Sequence, residues 1–236
     1  MSTQLIVTTS WDDGSTYDLQ LAGLLDSYGI KGTFYIPRSY RDDQLKEGDI
    51  RELDKRFEIG CHTLDHVDLT AVPFEKAAGE IEGSKSYLES LLGHKVAMFS
   101  YPKGRYNRNI KDLVRRSGFV AARTCDYGGS GSFEDPYGWK VSVQTTNGSP
   151  RIALISCISA GIPVASVFDW ETRAKHLFDR MLESGGVYHL WGHSWEIEKG
   201  NCWGKLERVL SHISGRQGVE YMTNGDIFMR AGEGTL

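Results

Sequence analysis

Short β-rich runs alternate with helical patterns along almost the whole chain, and no internal repeat, low-complexity tract or Pro/Ser linker interrupts them. Leu5–Thr9 reads as a first strand, followed by helical spacing at Leu19, Leu21, Leu24 and Leu25 that Gly29 stops. Thr33–Ile36 and Phe57–Gly60 read as the second and third strands. An apolar stripe through Phe74, Ala77, Ile81 and Leu88 predicts a helix over Phe74–Leu92. Val96–Ser100 is the fourth strand, Ile110–Ser117 a helix ended by Gly118, and Phe119–Ala122 the fifth strand. Residues 126–170 are the least regular, with a strand in Trp139–Thr145 and a helix near Arg151–Ser159. A helix over Thr172–Ser184, a strand over Val187–Trp191, a helix over Lys205–Ile213 and a strand over Glu220–Thr223 complete the pattern. Such alternation favours a parallel sheet or barrel. In barrels of this class the chemistry collects at the C-terminal ends of the strands.

Composition sets the outer limits. The 236 residues suit one α/β barrel, so a single domain over 1–236 is expected. With 40% hydrophobic and 25% charged residues the chain can build a sizeable core. The net charge is -4 and no Lys/Arg-rich block occurs, which argues against nucleic acid or an anionic membrane as partner. No apolar run approaches the roughly 20 residues that a bilayer span demands. Met1–Gln4 runs straight into the first strand with no charged or apolar leader, so a cytoplasmic address is expected. Cys61, Cys125, Cys157 and Cys202 are widely spaced and form no CxxC pair, which suits free thiols in a reducing compartment rather than a zinc ribbon.

Four motifs fall just past expected strand ends. Asp12-Asp13-Gly14 places two adjacent carboxylates at a barrel mouth, where like charges need a cation or a proton for relief. His62-Thr63-Leu64-Asp65-His66 spaces two histidines for one face of a helical turn, close enough to share a metal. Asp13, His62 and His66 together offer three ligands with open positions for water and substrate, the arrangement hydrolytic metals need. His193 follows the Val187–Trp191 strand, and Tyr101-Pro102-Lys103-Gly104 forms a tight turn that could aim a backbone N–H at an oxyanion. Each has a plain structural reading: an Asp-Gly turn, an incidental histidine pair, a structural histidine, a loop. Four such signals on one expected rim carry more weight together than apart.

The order of these motifs resembles the polysaccharide deacetylases with the NodB-like fold, over roughly residues 5–225. Ser10-Trp11-Asp12-Asp13-Gly14 is similar to that family's Thr/Ser-aromatic-Asp-Asp-Gly motif, and His62–His66 to its His-Ser/Thr-x-x-His motif. Phe99–Asn107 is similar to its Pro-x-Gly turn, and Leu190-Trp191-Gly192-His193 to its Leu-x-x-His motif. The resemblance implies a distorted (β/α) barrel with about seven parallel strands. It implies Asp12 as catalytic base, His193 as general acid, and Asp13, His62 and His66 as ligands of a divalent metal. Zinc is the expected ion, with cobalt, nickel or manganese as substitutes. The backbone N–H of Lys103 is the implied oxyanion donor. Tyr101, Trp191 and Trp195, with Trp11, are rim aromatics suited to stacking on a sugar.

Two departures stand out. Many members carry an Arg directly after the Phe of the third motif, paired with the base, where this chain has Ser100; its Phe99-Ser100-Tyr101-Pro102 resembles the branch of the family that lacks that Arg and reads Phe-Ala/Ser-Tyr-Pro. Arg123, at the end of the fifth strand, is expected to supply that cation to Asp12. No clean Asp stands ready to tune His193; Asp126 is the nearest candidate. The activity implied is hydrolysis of an N-acyl group, acetyl or formyl, from an amino sugar. A cytoplasmic address turns the substrate toward nucleotide- or lipid-linked intermediates of surface polysaccharide, O-antigen or lipopolysaccharide biosynthesis. Two alternatives are a metal-independent hydrolase of small cyclic amides on the same fold and a catalytically retired carbohydrate-binding protein. The complete Asp/His/His set speaks against the first, and the paired base and acid candidates against the second.

Overall fold

The computed structural model describes residues 4–128, 135–147 and 150–232. The first half runs β1 (Leu5–Asp12), α1 (Asp18–Ser27), β2 (Thr33–Ile36), α2 (Glu47–Asp54), β3 (Glu58–Cys61), α3 (Phe74–Leu92) and β4 (Met98–Ser100). It continues through α4 (Arg108–Arg116), β5 (Ala121–Tyr127), β6 (Trp139–Val141), β7 (Val143–Gln144), α5 (Pro150–Ala160) and α6 (Trp170–Ser184). The last part is β8 (Gly186–Gly192), α7 (Ser194–Lys199), α8 (Trp203–Ile213), β9 (Val219–Tyr221) and α9 (Asn224–Gly232).

The strands lie in the order β6-β5-β4-β3-β2-β1-β8-β7, every neighbouring pair parallel. β9 adds beside the first half of β1, pairing Leu5–Val7 with Val219–Tyr221. The two ends of the row meet in sequence, because β6 and β7 are halves of the single strand expected over Trp139–Thr145, broken at Ser142. β6 pairs with β5 while β7 pairs with β8, so the row nearly closes into a barrel of eight strands. Ser142 bridges the break: its hydroxyl accepts from the His189 N–H at 3.0 Å and donates to the Val187 carbonyl at 3.2 Å.

Period-two alternation divides the strand side chains between two cores. Leu5, Val7 and Trp11 of β1 join Phe34 and Ile36 of β2, Phe99 of β4 and Leu190 of β8 in the layer beneath the helices. The opposite face lines the barrel, where Ile6, Tyr35, Met98, Ala121, Trp139 and Val187 cluster. Met222, Ile227 and Phe228, from the β9–α9 end, plug that interior at its base. Along β1 the inward residues run Ile6, Thr8, Ser10, Asp12, all buried. Polarity therefore rises from the plugged end to the mouth.

Several expected boundaries move. β1 extends to Asp12, β5 runs on from Ala121 to Tyr127, and β4 starts only at Met98. Arg123 thus sits inside a strand rather than at its end, and Ser100↔Arg123 is a registered pair. The helices α2, α7 and α9, of eight, six and nine residues, add to those expected from the sequence. His62–His66 is not a helical turn: Thr63 and His66 have φ of 65° and 51°, left-handed conformations that break helical spacing.

The plug depends on Asn224, fully buried at the start of α9. Its side chain accepts from the Tyr35 hydroxyl at 2.9 Å and donates to Thr8 Oγ1 at 2.8 Å. Asn224→Ala should leave both hydroxyls buried without those partners and lower unfolding stability by about 2–6 kcal/mol, at about 1–3 kcal/mol per orphaned group. Urea unfolding checks this, and a change under about 0.5 kcal/mol would show that the plug is held otherwise.

Candidate active site

The mouth is organised by the turn after β1. Asp13 and Gly14 both take positive φ, 80° and 63°. A Cβ on Gly14 would lie 2.5 Å from Gln44 Nε2, so only glycine fits. Gln44 donates to the Asp13 and Gly14 carbonyls at 3.2 and 3.1 Å. The Leu45 N–H adds a bond to the Gly14 carbonyl at 2.8 Å. Asp12 thereby remains in the inward row of β1, while the reversed backbone turns Asp13 onto the rim.

His62 follows β3 directly. Its Nδ1 lies 2.8 Å from the Ser100 carbonyl, which can only accept, so Nδ1 carries the proton and Nε2 the lone pair. That Nε2 is 3.6 Å from Asp13 Oδ1, and His66 Nε2 is 3.3 Å from the same oxygen. The buried Glu80 carboxylate on α3 fixes the intervening loop by accepting from the Leu64 and Asp65 N–H groups at 3.0 and 2.9 Å. Burial, with His62 nearby, depresses the His66 imidazole to about 3. Burial also outweighs Asp12 and Asp13 in lowering His62. Both rings are therefore neutral donors at ordinary pH.

Asp13 Oδ1 is buried without a hydrogen-bond partner. Its donor atom and those of His62 and His66 all lie within 4.8 Å of one another. An orphaned carboxylate oxygen facing two neutral nitrogens fits a divalent cation of the zinc type, whose sites combine such O and N ligands.

Arg123 supplies a permanent cation. Its Nη2 donates to Asp12 Oδ2 and, at 2.6 Å, to Ser100 Oγ, where the small Ser100 leaves room for the guanidinium. Its guanidinium carbon is 5.3 and 4.9 Å from the Tyr35 and Trp191 ring centroids. Burial pushes the Asp12 carboxyl up, but Arg123, His62 and His193 together outweigh it and hold Asp12 below the ordinary range.

His193 stands between β8 and α7, with Nε2 3.8 Å from Asp13 Oδ2. Its Nδ1 donates to Glu196 Oε2 at 2.7 Å. Burial lowers the imidazolium, yet Glu196, Asp12 and Asp13 outweigh that and raise it above the ordinary histidine value. Asp126 is not its partner, since that exposed carboxylate accepts from the Tyr106 hydroxyl at 3.2 Å. The His193-x-x-Glu196 spacing was the available signal, masked because α7 is so short.

Asp12, Asp13, His62, His66 and His193 line a cavity of about 380 Å³ with Tyr40, Lys103, Cys125, Tyr127, Gln144, Trp191 and Trp195. Lys103 reaches it from a tight turn, at φ 58°. Tyr101 does not line it: fully buried beneath the helices, it donates to the Tyr137 carbonyl at 2.9 Å. Trp11 is likewise on the outward face of β1. Strand parity decides both cases. Tyr40 was missed because its loop gives no periodic signal; it stacks on His66 with centroids 3.9 Å apart.

Fold and site define a parallel α/β-barrel protein with a three-donor cation cluster and a buried Asp–Arg pair at its mouth. The polysaccharide deacetylase family profile matches residues 2–122, and the chain belongs to that family. Bacillus subtilis (strain 168) YxkH, assigned by its name to the polysaccharide deacetylases, is 28% identical over 135 residues, covering 56% of this chain and 48% of that protein. The match thus spans about half the length of that relative. A Mycobacterium smegmatis structure described as of this class aligns with TM-score 0.71 and 15% identity, covering 100% of this chain and 93% of its own. The chitin deacetylase of Colletotrichum lindemuthianum aligns with TM-score 0.64 and 15% identity, over 95% and 88%. At these identities the structural likeness speaks for the fold.

The separate placement of the two carboxylates gives a direct test. Zinc-loaded wild-type protein should keep its metal through dialysis, Asp13→Ala and His62→Ala should lose it, and Asp12→Asn should keep it. Metal analysis of the three variants checks this, and full zinc retention by Asp13→Ala would remove Asp13 from the ligand set.

Proposed function

We propose that this protein is a metal-dependent hydrolase that removes an N-acyl group from an amino sugar, with residues 1–236 acting as one catalytic domain. The observation that carries this reading is an arginine-paired carboxylate, Asp12, and a carboxylate-paired histidine, His193, beside one Asp/His/His cluster. The family name, and the names of relatives such as the chitin deacetylase, support an N-acetylated carbohydrate as substrate.

A divalent ion, zinc foremost, held by Asp13, His62 and His66 would supply Lewis-acid polarisation of the amide carbonyl and acidify the attacking water. Asp12 accepts the proton from that water, and Arg123 keeps the carboxylate ionised and oriented for the task. Water oxygen adds to the carbonyl carbon, with the Lys103 backbone N–H as the oxyanion donor. His193 then gives its Nε2 proton to the sugar nitrogen as the C–N bond breaks, releasing a carboxylic acid and an amine. Glu196 holds the ring by Nδ1 and favours its charged form. Trp191 and Trp195 are suited to stacking on the sugar face.

Four free cysteines, two of them buried, support a reducing compartment and a cytoplasmic site of action. Among the described residues no helix is long and apolar enough to cross a membrane. We therefore favour a nucleotide- or lipid-linked N-acyl amino sugar of surface-polysaccharide assembly over a finished polymer. Zinc-loaded protein incubated with polymeric, free and nucleotide-linked N-acetyl and N-formyl amino sugars should release amine, fastest from a linked substrate. Release from none of them would overturn the reading, and turnover unchanged after metal removal would turn it to the metal-independent alternative.

Asp12→Asn and His193→Ala should each lower kcat by at least ~10²-fold, the usual scale of general acid–base help. The pH–rate limbs should move in opposite senses. Without Arg123, burial of Asp12 is opposed only by His62 and His193, so Arg123→Ala should shift the acidic limb to higher pH. Without the Glu196 charge the His193 proton is held less tightly, so Glu196→Gln should shift the basic limb to lower pH. Limbs that stay in place would assign base and acid to other groups.

A further inference from the structure

The two oxygens of Asp13 have different surroundings. Oδ1 faces the His62 and His66 nitrogens and lacks a hydrogen bond. Oδ2 accepts from Trp195 Nε1 at 2.9 Å. An indole N–H donates and never accepts, so this bond commits Oδ2 to the protein.

Trp195 is itself fixed from behind. The Arg41 guanidinium carbon lies 4.4 Å from the indole centroid. Arg41 Nε donates to Asp43 Oδ1 at 2.7 Å, and Asp43 Oδ2 accepts from Ser15 Oγ at 2.5 Å. Ser15 is two residues past Asp13, so a closed circuit Asp13–Trp195–Arg41–Asp43–Ser15 returns to the turn where it began. A cation on the π face draws electron density from the indole and makes its N–H a stronger donor.

We propose that Trp195 is a positioning residue for the cation site. Its N–H holds Asp13 so that Oδ1 alone is offered to the ion, and Arg41 strengthens that hold. Hydrogen bonds of this kind to ligating carboxylates orient the ligand, and their loss lowers metal affinity about 10–100-fold. Trp195 was expected only as a sugar platform; its N–H gives it a second task that a phenyl ring could not perform.

The inference rests on Asp13, His62 and His66 forming a cation site, and the test keeps the two apart. Zinc affinity of the metal-free protein is measured by competition with a chromophoric chelator for wild type, Trp195→Phe and Arg41→Met. Wild type should bind one zinc, Trp195→Phe about 10–100-fold more weakly, and Arg41→Met more weakly by a smaller factor. The visible absorption of the cobalt-loaded proteins should weaken in Trp195→Phe, as the freed Oδ2 joins the ion and raises its coordination number. Failure of the wild type to bind zinc would overturn the cation site itself. Wild-type affinity and an unchanged cobalt spectrum in Trp195→Phe would overturn the role of Trp195 alone. Should circular dichroism show Trp195→Phe unfolded, Arg41→Met decides, and unchanged affinity there overturns the proposal.

Discussion

The placement of two consecutive carboxylates in different electrostatic surroundings is what the rest of the mouth depends on. Asp12 and Asp13 are both nearly fully buried, and adjacent like charges in such a place need compensation. Asp12 receives a permanent cation, the Arg123 guanidinium, which is itself fully buried. Asp13 instead meets two neutral imidazoles and an indole N–H, surroundings that satisfy one oxygen and leave the other for an ion. A left-handed backbone at Asp13 and Gly14 separates the two environments within a single peptide step.

Everything packed around that step keeps it fixed. The segment after β2 reaches over it through Gln44 and Leu45 and then touches the other elements of the site. The Ser39 N–H bonds to the Leu64 carbonyl of the histidine loop at 2.8 Å, and the Tyr40 ring stacks on His66. Arg41 packs on Trp195. One loop thus ties the carboxylate turn, the histidine loop and α7 together. Below it, the barrel interior passes from the apolar plug through Thr8, Ser10 and His189 to the charged rim. The Ser10 hydroxyl and His189 Nε2 are 2.8 Å apart there, so the two side chains hydrogen-bond to each other within the barrel.

Arg123 illustrates how a missing residue can be read. Ser100 leaves space where many family members carry an arginine, and the next strand's arginine fills it through direct β4–β5 register. The compensation works because a buried carboxylate needs a cation nearby, whichever strand delivers it. The tuning carboxylate for His193 comes from close by in sequence, Glu196 on the next helical turn, rather than from the more distant Asp126.

The alternation of strands and helices, the strand ends on which Asp12, His62 and His193 stand, and the use of Arg123 as the cation beside Asp12 are legible in the linear chain. These follow from local periodicity and from charges that must be neutralised. Which way the side chains near those ends point is set by the folded arrangement of neighbouring strands. Tyr101 and Trp11 turn outward because strand parity is counted from a register that neighbouring strands set. The histidines meet through a left-handed loop clamped by Glu80 rather than through a helical turn, a conformation their spacing does not encode. The split of β6 from β7, and the use of the Trp195 N–H on Asp13, depend on closing the barrel. Such contacts join residues up to 182 positions apart, and nothing local in the chain announces them.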